Sequence, residues 1–217
     1  MNIVLLGPPG SGKGTQAKRI ADVLQIQHLS TGDVFRDAIK AQTQFGKEIK
    51  NFVEGGKLVP DELVSAVVFE KLGGMTGQGY LLDGYPRTVG QAEAFDLYLS
   101  KSNSELDAVL FFNVEFNELV KRLSSRRQCP NCKEVYNLEL NSPKISGSCD
   151  KCAGHLIHRP DDQPDIVQKR LEIYTKETSP ILDYYKAHPG FFEINAAHQI
   201  EIVFKDVMAA LTKQKVK

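Results

Sequence analysis

The chain has 217 residues, 41% hydrophobic and 25% charged, which suits one soluble globular domain with or without insertions. Its 27 basic residues balance its 27 acidic ones, so no overall field draws it to nucleic acid or to an anionic membrane. No apolar stretch approaches the roughly 18 residues that span a bilayer, and a core-like strand begins almost at the N-terminus, which predicts no signal peptide and a cytosolic protein.

The first element is the apolar run Ile3–Leu6, followed at once by Gly7-Pro8-Pro9-Gly10-Ser11-Gly12-Lys13-Gly14-Thr15 and a helical pattern over 13–24. Buried strand, glycine loop and helix in that order present backbone N–H groups and a helix N-terminus to a phosphate chain. Gly10, Ser11, Gly12, Lys13, Gly14 and Thr15 are the candidate phosphate cradle, with the Lys13 ammonium aimed at the terminal phosphates. One irregularity stands out: Gly14 intervenes where the strict pattern has Ser or Thr directly after Gly-Lys.

Further strands are expected at 27–29, 80–82, 108–113 and 191–194, with helical patterns at 60–72, 88–100, 115–127, 162–187 and 198–212. Pro180 should kink or break the long one. Strands alternating with helices predict an α/β fold, a doubly wound five-stranded parallel sheet with helices on both faces. Residues 30–59, with two short helical patterns, and the irregular residues 128–158 break the alternation. Both read as insertions beside the strand ends, where open α/β sheets bind ligands.

The second insertion holds all four cysteines as two C-x-x-C knuckles, Cys129/Cys132 and Cys149/Cys152, separated by 16 residues. That spacing fits a tetrahedral four-thiolate zinc site, and a filled coordination sphere makes the metal structural. Disulfides, a redox pair and a nucleic-acid-binding zinc ribbon are the competing readings. The last lacks stacking platforms, because Tyr136 is the segment's only aromatic residue.

Taken together, these segments resemble the adenylate kinases, the nucleoside monophosphate kinases that move a phosphoryl group between MgATP and AMP. The resemblance rests on Gly7–Thr15, Ser30-Thr31-Gly32-Asp33 with Arg36, Gly56-Lys57-Leu58-Val59, Leu82-Asp83-Gly84-Tyr85-Pro86-Arg87-Thr88, Gln91, Arg122, Arg126, and Arg159-Pro160-Asp161-Asp162 with Arg170. It implies a core of residues 1–29, 60–121 and 160–217, an AMP-binding insertion at 30–59, and a mobile lid at 122–159 that closes over ATP. It further implies AMP contacts from Thr31, Arg36, Lys57, Leu58, Val59, Gly84, Tyr85, Pro86, Arg87, Gln91, Arg159 and Arg170. ATP would meet the Gly10–Thr15 loop, Arg122, Arg126, Val135, Tyr136 and His198, although Asn195-Ala196-Ala197 stands where the family usually has a glycine. Asp83 would hold hydrated Mg²⁺, and the knuckles match the cysteine-bound zinc of long-lid members. Substrates would be ATP, AMP and ADP, with no nucleic-acid or membrane partner, and the chain is expected to be a monomer.

Phosphoryl transfer needs positioning and charge stabilisation more than a base. Catalysis is accordingly assigned to Lys13, Arg87, Arg126, Arg159 and Arg170. Six of the eight arginines fall on family binding positions. Arg122 and Arg126, four apart on a helical pattern, are expected to project to one side. The rival identities are a UMP/CMP kinase, which usually has a short lid, and a GTP:AMP phosphotransferase. A P-loop GTPase would carry an Asn-Lys-x-Asp guanine motif, which the chain lacks.

Overall fold

The computed structural model describes residues 1–75, 77 and 79–215. At its centre is β1 (Ile3–Leu6), every residue of which is buried. It pairs in parallel with β3 (Tyr80–Asp83) on one side and β4 (Ala108–Asn113) on the other. β2 (Gln27–Ser30) adds to β3 and β7 (Phe191–Asn195) to β4, giving a five-stranded parallel sheet in the order β2-β3-β1-β4-β7.

The strand period of two assigns side chains to two cores. Ile3, Leu5, Leu81, Ala108, Leu110 and Phe112 face one way. They pack with Ala17 and Ile20 of α1 (Lys13–Leu24), Leu119 and Leu123 of α6 (Phe116–Ser124), Val167 and Leu171 of α7 (Pro164–Ile173), and Val203 and Val207 of α9 (Ile200–Lys215). Val4, Leu6, Leu82 and Val109 face the other way. There they meet Val64 and Val68 of α4 (Asp61–Gly73), Phe95 and Leu99 of α5 (Val89–Lys101), and Ile181 and Tyr185 of α8 (Ile181–Tyr185). Phe95 has no exposed surface, so truncating it to alanine would cost about 3–5 kcal/mol.

Residues 30–59 form α2 (Thr31–Lys40) and α3 (Gln44–Glu54). Ser30 and Thr43 cap them by accepting from Asp33 N–H and Gly46 N–H. The helical pattern expected through residue 187 divides as Pro180 predicted: α7 passes into a π-helical turn at Tyr174–Thr178, and α8 begins at Ile181.

One expectation is corrected. The helix predicted over 115–127 ends at Ser124, and Arg126 lies in β5 (Arg126–Gln128), antiparallel to β6 (Val135–Asn137). Arg122 and Arg126 therefore do not share a helix face. A polar Ser-Ser-Arg-Arg run gives the helix no apolar residue to bury beyond Leu123, and pairing with β6 takes over the backbone bonds. Gln128 also pairs with Ile157, tying the two ends of the cysteine segment together.

Candidate active site

The loop after β1 turns at Gly7, Gly10 and Gly12, whose φ angles are 141°, 87° and 91°. A Cβ on Gly7 would lie 2.6 Å from the Phe112 carbonyl oxygen, and one on Gly10 would lie 2.9 Å from Leu123, so both positions are restricted to glycine. Gly12 precedes α1 with no side-chain cap, so the first-turn amides are not occupied by one. The Lys13 ammonium folds across the loop and donates to the carbonyls of Gly7 (2.6 Å) and Pro8 (2.8 Å). The irregular Gly14 has a steric reason: a Cβ there would stand 3.2 Å from Asp83 Oδ2. A Ser or Thr there would have to press the carboxylate at the end of β3 aside by a few tenths of an ångström.

Asp83, Arg36, Arg87, Arg126, Arg159 and Arg170 line one cleft with this loop, at the C-terminal ends of the strands, with a volume of about 350 Å³. Arg126 grips Asp162 through two bonds, Nε–Oδ2 at 2.7 Å and Nη2–Oδ1 at 2.5 Å. Arg170 Nη1 lies 2.9 Å from both Asp161 and Asp162. Arg87 Nε donates to the Gly84 carbonyl (2.8 Å), Arg159 Nε to Gln128 Oε1 (2.7 Å), and Arg36 pairs with Asp33 (2.7 Å).

The crowding is electrostatically expensive. Burial lowers Lys13 to about 7; Asp83 opposes this, while Arg87, Arg170 and Arg126 add to it. Burial and Arg170 bring Arg87 down to about 10. Burial, with Arg126 and Arg36, pushes Arg159 well below the ordinary arginine value. Burial pushes Asp83 up, but His28, Lys13 and Arg87 together hold it below the usual carboxylate range, so it is ionised. Such a cluster is built to face a polyanion.

Lys57, Leu58, Val59, Gly84, Pro86 and Gln91 also line the cleft. Thr31 is buried, and its hydroxyl donates to the Gly84 carbonyl (2.9 Å). The Tyr85 side chain has no exposed surface and packs in the core against Phe95, with its hydroxyl donating to the Gln91 carbonyl (3.1 Å), so a nucleotide contact there falls to its backbone. Toward the other end lie Arg122, Val135, Tyr136 and His198. Arg122 pairs with Glu118 and donates to the carbonyls of Ala196 (2.9 Å) and Ala197 (3.2 Å), fastening the loop that lacks the expected glycine.

Sequence reasoning overlooked several neighbours. Asp61 binds both Gln91 and Thr88, and Gln128 holds Arg159. The Lys133 ammonium pairs with Asp37 of α2, while Lys18 donates to the Lys133 carbonyl (2.8 Å), so the cysteine segment reaches both α2 and α1. Only the Asp at the start of α4 carried a local signal, that of a helix beginning; the others are contacts between distant segments.

The four cysteine sulfurs lie within 4.8 Å of one another. Tetrahedral Zn–S bonds of about 2.3 Å require sulfurs about 3.8 Å apart, which this cluster meets with small adjustment. Two pairs, Cys129–Cys152 and Cys132–Cys149, stand at 3.4 Å. The knuckles are alike in backbone: Lys133 and Ala153, each one residue past the second cysteine, are left-handed with φ of 61° and 54°. Gly154 sits close against the cluster: a Cβ there would fall 3.2 Å from Cys129 Sγ and would push the Asn131 amide, 2.7 Å away, aside. Around the sulfurs the segment buries only Tyr136 and Leu156, too little apolar surface for a core of its own. The residues fit a metal ion.

Among the described residues no helix is long and apolar enough to cross a membrane. Residues 5–189 match the family model "Adenylate kinase". Among curated proteins, "Adenylate kinase" of Thermosipho africanus is 43% identical over 96% of this chain and 98% of its own length. That of Methanothrix thermoacetophila is 44% identical over 98% of this chain and 99% of its own. That of Clostridium botulinum is 44% identical over 99% and 100%. Matched from end to end by proteins of that name, with a glycine loop and convergent arginines at the strand ends, the chain belongs to the adenylate kinase family.

Proposed function

We propose that the chain catalyses reversible transfer of the terminal phosphoryl group of MgATP to AMP, giving two ADP. The observation that carries this reading is the convergence of Lys13 and six arginines on one cleft with an ionised Asp83. The AMP phosphate has a second pKa near ~6 and is nucleophilic at neutral pH without a base. What the chain must supply is geometry and charge.

Loop amides from Gly10 to Thr15, with Lys13, hold the ATP phosphates, and Arg122 with Val135, Tyr136 and His198 borders the adenosine. Arg36, Arg87, Lys57 and the Gly84–Pro86 turn hold AMP, whose base meets Gln91 and the backbone of Leu58 and Val59. Thr31 acts by shaping the Gly84 turn. Arg126, Arg159 and Arg170 take the charge that spreads over the transferring group. Mg²⁺, bound with ATP, neutralises phosphate charge, and Asp83 is placed to hold its waters.

The 30–59 insertion and the 122–159 lid close on the core, 1–29, 60–121 and 160–217, and exclude water from the transfer. The Lys133–Asp37 pair supports a closed arrangement, and Gly55-Gly56, Pro60 and Pro160 are the joints. Zinc is the metal that four thiolates in a tetrahedron suit best, and here it stiffens the lid. The balanced charge supports no nucleic-acid or membrane partner, and we expect a cytoplasmic monomer.

A coupled assay with ATP and AMP, CMP, UMP or GMP in parallel tests the reading. AMP should turn over fastest, and Lys13→Ala or Arg87→Ala should lower kcat/KM at least about a hundredfold. Fast CMP or UMP turnover with AMP inert refutes the substrate assignment.

A further inference from the structure

Gln91 is almost fully buried at the cleft wall. Its Nε2 donates to Asp61 Oδ1 at 2.7 Å, and its Oε1 accepts from Arg87 N–H at 2.7 Å. A carboxylate only accepts and a backbone N–H only donates, so these partners force one of the two amide orientations. The flipped amide would set an oxygen against the carboxylate and an NH₂ against an N–H, leaving all four groups unpaired. Asp61 is itself fixed, because Thr88 Oγ1 donates to Oδ2 at 2.6 Å. Thr88 in turn caps α5 by accepting from Gln91 N–H (3.1 Å).

We propose that Asp61 is a specificity-determining positioning residue that locks the Gln91 amide in the orientation complementary to adenine. This rests on the reading above that Gln91 meets the base of the monophosphate substrate. Each end of the locked amide keeps one unused valence, a second N–H on Nε2 and a second lone pair on Oε1. Adenine offers a donor at N6 beside an acceptor ring nitrogen, which that pair of valences satisfies. Guanine offers the reverse along the same edge, an acceptor O6 beside the N1–H donor. It therefore matches the flipped amide, which Asp61 and the Arg87 N–H together forbid; without Asp61, only the Arg87 bond is left to hold the orientation. The lock makes the pocket reject guanine by leaving polar groups unpaired, the strongest form of discrimination open to a binding site.

The test is steady-state kinetics with AMP and GMP at saturating MgATP for the wild type, Asp61→Ala, Asp61→Asn and Gln91→Ala, with thermal melts to establish folding. Asp61→Ala should lower the AMP-to-GMP ratio of kcat/KM by at least about tenfold, through a higher KM for AMP and a lower one for GMP, with KM for ATP unchanged. Asp61→Asn, whose carbonyl oxygen can still accept from Gln91, should keep the ratio within about threefold of wild type. If Asp61→Ala does not fold, Asp61→Ser, too short to reach Gln91 but compatible with a helix start, carries the same expectation. Equal losses for AMP and GMP would mean that Asp61 only supports the fold, and would overturn the proposal. An unchanged ratio in Gln91→Ala would instead overturn the reading that Gln91 meets the base, so the two failures are distinguishable.

Discussion

Replacing Asp162 by alanine strands the half-buried Arg126 guanidinium and leaves Arg170 with Asp161 alone. The carboxylate has no exposed surface and takes three charge-assisted bonds, two from Arg126 at 2.7 and 2.5 Å and one from Arg170 at 2.9 Å. Asp162 is the chief reason that Arg126, though penalised by burial, stays above the ordinary arginine value. Removing one partner of such a cluster leaves uncompensated charge and should cost about 3–5 kcal/mol, well beyond the truncation of an exposed pair. In a chain of this size, that lowers Tm by about 10 °C. Asp162→Asn should lose nearly as much, because its amide turns an NH₂ toward guanidinium N–H groups. The double variant Arg126→Ala, Asp162→Ala should recover part of the loss, since one stranded charge is gone. Calorimetry gives the stability, and kcat with both substrates saturating should fall about a hundredfold as the arginines lose their aim. A stability loss under about 1 kcal/mol with normal kcat would refute the view that Asp162 organises the cluster.

Lys13 makes the pH behaviour specific. Its folded value near 7 lies below the ordinary 10.5, so between those limits the unfolded chain holds one more proton and stability rises with pH. A bound polyphosphate raises the Lys13 value, so ATP binding at pH 8 should take up a proton and weaken by up to about tenfold per pH unit above 7. Titration calorimetry in buffers of different ionisation enthalpy reads the uptake. Lys13→Arg should abolish it; persistence in that variant would assign the proton elsewhere. The purified reduced protein should carry close to one metal ion per chain by elemental analysis, lost in Cys129→Ser. Chelation should expose amides of 126–158 to hydrogen exchange while the sheet stays protected, and full protection after metal loss would contradict a structural metal.

The sheet could be read from sequence because its central strands, β1 and β4, are short apolar runs and the loop after β1 carries glycines at positive φ. By contrast, β2 (Gln27–Ser30) has one apolar residue and was placed by the alternation alone. The phosphate loop is local, so residues 7–15 announced themselves. The boundary at 124–126 could not be read, because what ends the helix is strand pairing with Val135–Asn137, ten residues away. That the Tyr85 side chain turns into the core was hidden for a similar reason. A motif lists neighbours along the chain, whereas alternate residues of a turn face opposite ways. Asp61, Gln128 and Asp37 were missed because each acts through a partner at least 30 residues distant. Nothing in a single sequence marks such pairs.

The charge balance of the cleft links binding to closure. Ten lysines and arginines line it against Asp33, Asp83 and Asp161, with Asp162 held behind Arg126 and Arg170. Burial is the first cause that lowers Lys13, Arg87, Arg159 and Arg170, and neighbouring arginines add to it, so bringing the segments together works against desolvation as well as like-charge repulsion. Two nucleotides together bring about six negative charges, which offset most of this excess even with Mg²⁺ present. Either nucleotide alone relieves only the cations nearest to it. If the insertion and the lid close as proposed, they therefore gain most when both substrates are bound, and this is the condition under which water must be excluded. On this argument the arginines serve twice, once in assembling the site and once in stabilising the transferring phosphoryl group. A base would have served only the second purpose, and would have accepted water as readily as AMP.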